Sequence, residues 1–258
     1  MKKLIYPYIC RRCGVIYKYK VEKITMGMSE DSFLKVFSDL LCTECIKKYE
    51  IYSANCCERC GKKIEGSVCK GSLCGSCLNN EILLDKIRSP FSFSQSIVDI
   101  VHLFKYNDAC FMAGKMAFFL LKIYKNEFFF EHIDFVLPVP MHRKKLRRRG
   151  YNQALLMSLK LSELAGIYGV DFPPVMDNIL LKSINTTSQT KLGLKERQKN
   201  IKGAFLISSR LPDRISLRKK KILLIDDVIT TGSTLNECAK SLINAGVSKV
   251  FALTFARA

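Results

Sequence analysis

No part of this 258-residue chain approaches the ~20 consecutive apolar residues that a membrane-spanning helix needs. The longest candidate, residues 111–124, is interrupted by Gly114, Lys115 and Lys122. The opening ten residues, from Met1 to Cys10, likewise lack an apolar stretch long enough for a secretory signal. These absences predict a cytoplasmic protein with no membrane insertion. Acidic residues are scarce: 23 Asp and Glu stand against 42 Lys and Arg, a net charge of +19. The imbalance favours polyanionic partners such as nucleic acid, phosphate esters or an anionic surface, although an A·T-rich genome that inflates lysine produces the same balance. Apolar residues are not scarce. At 48% of the chain they suffice for one full α/β domain and a small second module.

Cysteine is concentrated rather than spread. Ten of the twelve lie between Cys10 and Cys77, in a compartment where clustered thiols signal metal rather than disulfides. Cys10-Arg-Arg-Cys13 and Cys42-Thr-Glu-Cys45 form one set of Cys-x-x-Cys knuckles, and Cys57-Glu-Arg-Cys60 and Cys74-Gly-Ser-Cys77 form another. Two such knuckles supply four soft ligands in a tetrahedral shell, the donor set of structural zinc, which predicts two Zn²⁺ per chain. Sequential and interleaved pairings of the knuckles both satisfy the spacing. Cys56 and Cys69 are near-duplicates that can stand in as ligands or sit as small apolar residues, while Cys110 and Cys238, in helical segments, are expected in the core. A closed four-sulfur shell leaves no open position, so the metal is expected to hold structure rather than to catalyse. Basic residues within this part, among them Arg11, Arg12, Lys47, Lys48, Arg59, Lys62 and Lys63, suit either a nucleic-acid surface or plain solvation.

The remainder reads as α/β. Residues 1–85 are expected to form the cysteine module and 86–258 the larger domain, with Ser89-Pro90 near the boundary. Helical periodicity runs through Ile97–Phe104 and Met112–Tyr124, then Asn152–Leu164, and again from Thr234 to Ala245, where Gly246 stops it. Short apolar runs at Phe135–Val139, Ile222–Ile225 and Val250–Phe255 read as buried strands. Alternation of this kind predicts a parallel sheet with helices on both faces and a ligand site beyond the carboxyl ends of its strands. Asp226 and Asp227 follow one such strand, where they can accept hydrogen bonds from a diol or help hold Mg²⁺. Thr230, Thr231, Gly232, Ser233 and Thr234 follow, opening a helix whose positive end attracts phosphate, and Gly232 permits close backbone approach. Upstream, a basic loop is expected directly after the Phe135–Val139 strand, with six Lys or Arg among residues 143–149 that call for a polyanionic complement.

Residues 222–235 resemble the signature loop of type I phosphoribosyltransferases. That resemblance implies that Asp226 and Asp227 bind the ribose hydroxyls of phosphoribosyl pyrophosphate and that residues 230–234 bind its 5′-phosphate. The 6-oxopurine-salvage members place a base-contacting carboxylate where Thr230 stands here, so hypoxanthine and guanine are disfavoured as acceptors. The Pro-Val-Pro run at 138–140, Arg149-Gly-Tyr-Asn-Gln-Ala154, the Phe104-Lys-Tyr106 element, and Gln189, Leu192, Arg197, Asn200 and Gly203-Ala-Phe205 are spaced as in the ComF family of competence proteins. With the cysteine knuckles, the resemblance covers essentially the whole chain. It implies a type I phosphoribosyltransferase-like domain behind a zinc finger and a role in uptake and processing of transforming single-stranded DNA. It also implies the ComF-operon helicase as a partner and Mg²⁺ accompanying phosphoribosyl pyrophosphate. His142, Arg143, Lys144 and Lys145 would form the pyrophosphate side, and Arg149, Gly150, Tyr151, Asn152 and Gln153 a flap over the site. The alternatives are an active phosphoribosyltransferase of nucleotide metabolism with an unidentified acceptor, and a sensor of the metabolite.

Overall fold

The computed structural model describes residues 8–18, 35–47, 55–66, 69, 71–79, 81–106, 109–184, 201–209 and 215–258. The elements in chain order begin with β1 (Tyr8–Ile9), β2 (Ile16–Tyr17), α1 (Thr43–Ile46) and α2 (Gly75–Leu78). Next come β3 (Lys86–Arg88), β4 (Phe91–Ser92), α3 (Gln95–Tyr106), α4 (Met112–Glu127), β5 (Phe135–Pro138), α5 (Arg143–Arg149) and α6 (Gln153–Ile167). The chain continues through β6 (Leu180–Lys182), β7 (Phe205–Ile207), β8 (Lys221–Ile229), α7 (Ser233–Asn244) and β9 (Lys249–Arg257). The main sheet runs β3-β9-β8-β5, all parallel, with β4 also paired to β9. A separate antiparallel pair, β6 and β7, stands beside it.

The alternation of β8 assigns its two faces. Ile222 and Leu224 pack in a cluster with Leu235, Cys238, Ala239 and Leu242 of α7, whereas Leu223 and Ile225 join the cluster built by α3, α4 and α6. Helices therefore cover both faces of a parallel sheet, as the alternating pattern predicts. The apolar stretch at 111–124 is a buried helix of this second layer, with Met116, Phe119, Leu120 and Leu121 in its core-facing set. Among the described residues no helix is long and apolar enough to cross a membrane.

The cysteine-bearing segment does not hang beside the sheet; it is split between its two faces. Phe37, Leu41, Cys42, Cys45 and Ile46 share a cluster with α3 and α4, and Phe37 stacks on Phe119 at 5.9 Å and meets Phe255 edge-on. Cys57, Cys60, Cys77, Ile82 and Leu84 lie instead in the cluster under α7. Filling such fully buried aromatic sites is worth about 3–5 kcal/mol each when tested by truncation, so these contacts weld the segment to the sheet.

Three local expectations change. The strand carrying the acid pair does not end at Ile225 but continues to Ile229, because Val228 and Ile229 extend the ladder on β9 as far as Ile229↔Arg257. The basic run at 143–149 is a seven-residue helix rather than a loop, opened by His142 and closed by Gly150 at φ 84°. Cys110 is exposed rather than in the core, since it precedes the first buried turn of α4; Cys238 is fully buried.

Candidate phosphoribosyl site and cysteine centres

Asp226 lies opposite Thr254 within the β8–β9 ladder, so both acids stand at the carboxyl end of the central strand. Asp226 Oδ1 accepts the Asp227 backbone N–H at 2.9 Å. Asp227 is buried, and its Oδ2 lies 2.7 Å from Lys105 Nζ, at the end of α3. Burial, reinforced by the Asp227 charge, pushes the Asp226 carboxyl up to about 7. The pair is thus asymmetric: one carboxylate is matched by a cation and the other is poised to hold a proton near neutrality. Lys182, from β6, adds a second cation to the field at Asp226; it lies over the Phe205 ring at 5.0 Å, and burial lowers its own affinity for a proton.

Beyond Ile229 the chain turns through 230–232 into α7. Gly232 sits at φ 79°, a conformation that side-chain-bearing residues resist, and it leaves the amino end of α7 without a side-chain cap. Thr231 Oγ1 and Ser233 Oγ approach to 2.7 Å, and the Ser233 N–H donates to Thr231 Oγ1 at 3.3 Å. Hydroxyls and helix amides therefore converge at the positive end of a twelve-residue helix, a ready anion site. A cleft of about 330 Å³ opens from this loop, lined among others by Ser76, Ile82, Lys202, Thr231 and Ser233.

Helix α5 carries the basic run, and its Lys145 lies within electrostatic range of Lys182. His142 Nδ1 accepts the Lys144 N–H at 3.2 Å, capping the helix. Burial lowers the Lys145 ammonium's hold on its proton, and the charges of Lys182, Arg149 and Arg148 add to that effect. Arg149 lies 5.2 Å over the Tyr106 ring and donates to Gln153 Oε1 at 2.9 Å. The corner from Arg149 to Gln153, for which family resemblance implies a flap, is fastened here. Asn152 caps α6 and donates to the Val139 carbonyl at 3.1 Å, while the Tyr151 hydroxyl donates to the Phe104 carbonyl. Gln153 Nε2 is buried with no acceptor. The motif residues Gln189, Leu192, Arg197 and Asn200, and the basic residue Lys48, lie outside the described residues.

The eight knuckle cysteines resolve into two sequential tetrads, Cys10/Cys13/Cys42/Cys45 and Cys57/Cys60/Cys74/Cys77, each with its sulfurs within 4.8 Å of one another. Cys13 Sγ to Cys42 Sγ is 3.7 Å and Cys60 Sγ to Cys74 Sγ is 3.6 Å. A tetrahedral zinc with 2.3 Å bonds requires sulfurs about 3.8 Å apart, so the donor sets fit a single soft ion each. At Cys10 burial opposes ionisation, but backbone N–H donors led by Cys13 outweigh it and bring the thiol to about 6; burial and neighbouring thiols push Cys45 up to about 12. The second tetrad repeats the pattern, Cys57 at about 7 and Cys60 raised by burial to about 11. Cys56 and Cys69 belong to neither tetrad.

The motifs brought the acid pair, phosphate loop and cysteines into view. Lys182 escaped notice because its only signal was a charge closing a short apolar run, and Lys105 was visible solely as part of the Phe104–Tyr106 element. The comparisons agree with this geometry. The family described as the phosphoribosyl transferase domain matches residues 173–258. Competence protein F of Haemophilus influenzae is 29% identical over 228 residues, covering 87% of this chain and 93% of that protein. Competence protein ComFC of Streptococcus pneumoniae is 25% identical over 248 residues, 96% and 99% of the two chains. The DNA utilization protein YhgH of Salmonella typhimurium is 25% identical over 181 residues, 69% and 74% of the two.

Proposed function

Because the chain is a homologue of competence protein F and ComFC with a type I phosphoribosyltransferase-like domain, we propose that it acts in the uptake and processing of transforming single-stranded DNA and binds phosphoribosyl pyrophosphate. The observation that carries the reading is one strand–loop–helix unit. It sets Asp226 and Asp227, then residues 230–234, at the positive end of α7, while the basic helix α5 follows β5, the strand paired with β8.

In this reading the acid pair receives the ribose diol, and residues 230–234 hold the 5′-phosphate. His142, Arg143, Lys144 and Lys145 face the pyrophosphate. The buried Gln153 Nε2, which lacks an acceptor, is suited to an oxygen of the same ligand. Mg²⁺ would arrive with the pyrophosphate and offset its charge. If transfer to an acceptor takes place, the chain's contribution is positioning and stabilisation of the departing pyrophosphate, with no covalent intermediate. Zn²⁺ fills both tetrads as a structural ion. The ComF-operon helicase is the proposed protein partner, and the cytoplasm the proposed compartment.

Two measurements test it. Phosphoribosyl pyrophosphate with Mg²⁺, at about a hundred times its dissociation constant, should raise the unfolding midpoint by roughly 5–10 °C. The double variant Asp226→Asn/Asp227→Asn should show no rise, and an unresponsive wild-type chain would eliminate the ligand. Single-stranded DNA should bind with an affinity that falls as salt rises, by a slope of about 0.7 per phosphate neutralised. Arg147→Ala/Arg148→Ala should flatten that slope by roughly one to two units; salt-independent binding would remove the basic helix from the interface.

A further inference from the structure

The segment that follows the second tetrad forms the floor of the phosphate loop. Ile82 is buried, and its Cδ1 lies 3.5 Å from where a Cβ on Gly232 would stand. It belongs to one apolar cluster with Cys57, Cys60 and Cys77 below and Ile229 and Leu235 above. Asn236, in the first turns of α7, grips the same segment: its Oδ1 accepts the Leu83 N–H at 2.8 Å, and its Nδ2 donates to the Glu81 carbonyl. The path back to the metal ligands is short. The Glu81 N–H donates to the Ser76 carbonyl at 2.9 Å, closing the turn that leaves α2, the helix that starts after Cys74 and contains Cys77. From the other side, Arg257 at the end of β9 donates through Nη1 to the Cys60 carbonyl at 2.6 Å, and its Nη2 lies 3.7 Å from Cys60 Sγ.

The first tetrad makes its contacts elsewhere. Its neighbours reach α3 instead, through Ser96 Oγ donating to the Cys45 carbonyl at 2.5 Å and Arg12 Nε 3.1 Å from Asp99 Oδ2. Two similar donor sets therefore support opposite sides of the sheet.

We propose that the second tetrad positions the phosphate loop through Ile82 and Asn236, so that metal at Cys57, Cys60, Cys74 and Cys77 sets the affinity of residues 230–234 for a phosphate ester, whereas metal at the first tetrad does not. The inference rests on reading 230–234 as the phosphate site. Its physical basis is that helix amides bind an anion well only when they converge on one fixed point. A knuckle freed of its ion carries residues 81–83 with it, and the start of α7 loses both its floor and its tie.

The test uses the full, metal-loaded chain and three readouts: elemental analysis, amide hydrogen exchange across 230–236, and calorimetric binding of phosphoribosyl pyrophosphate. Asn236→Ala should keep two zinc per chain, accelerate exchange across 230–236 and weaken the ligand roughly tenfold, from the loss of two hydrogen bonds. Cys74→Ser should retain about one zinc and show the same accelerated exchange. Cys13→Ser should also retain about one zinc, yet leave that exchange at the wild-type rate. Should Cys74→Ser fail to fold, Asn236→Ala and Ile82→Ala carry the comparison, both with full zinc. The proposal is overturned if Asn236→Ala keeps wild-type exchange and affinity, or if Cys13→Ser loosens the loop as much as Cys74→Ser. A wild-type chain that binds no phosphoribosyl pyrophosphate would overturn the ligand reading alone, because exchange reports on the loop without ligand.

Discussion

Asp226→Asn is expected to make the ligand-free protein more stable at pH 8 while abolishing its response to phosphoribosyl pyrophosphate. The Asp226 carboxyl rises from 3.8 to about 7 on folding, chiefly through burial and then through Asp227. The folded state therefore holds this proton more tightly than the unfolded chain does. Its contribution to stability is complete below about pH 4, declines as pH rises, and is gone above about 7. At pH 8 the fold carries this half-buried anion beside the buried Asp227, a cost of roughly 2–4 kcal/mol once shared across the pair. Asparagine keeps an oxygen for the Asp227 N–H and removes the charge. The unfolding midpoint at pH 8 should rise by roughly 5–10 °C, and the gain should shrink towards pH 5. A variant less stable than wild type at pH 8 would mean that the Lys182 charge depends on Asp226 more than the acids repel each other. In the proposed reading that cost is traded for a charged pocket, which the ribose diol and the ligand's cation would offset only when bound.

Removal of metal should act in the opposite direction and more widely. Each tetrad sits in a buried cluster rather than on a detached finger, so stripping it opens a layer of the main core. Zinc held by four thiolates contributes on the order of 10 kcal/mol to folding in small modules. Chelation under mildly destabilising conditions should therefore lower the unfolding midpoint by more than roughly 10 °C, in one cooperative transition that includes the sheet. The metal-loaded chain should contain about two zinc. Two separate transitions, with the sheet unaffected by the chelator, would contradict the shared cores.

Much of this site could be read in advance, for definite reasons. A run such as Ile222–Ile225 followed by paired acids and a hydroxyl-rich, glycine-bearing turn has few physical outcomes, and each knuckle is a local unit whose spacing fixes its chemistry. What escaped was set by distant partners. The strand outlasts Ile225 because β9 is long enough to pair with it. Six like charges at 143–149 suggest a loop facing a polyanion, but caps at His142 and Gly150 and an arginine laid on Tyr106 make a helix of them. Which knuckles pair, and which face each tetrad serves, depended on residues such as Phe255 and Arg257, more than 190 positions away in the chain.

That separation has a consequence for how the protein is made. The knuckle cysteines are synthesised well before some of the groups that cover them: Arg257 meets Cys60 across 197 positions. At about 5–20 residues per second, a nascent chain would present its thiols for roughly ten to forty seconds before the final strand is complete. During that interval bound metal would shield the knuckle thiols from oxidants, so zinc supply during translation should raise the yield of intact protein.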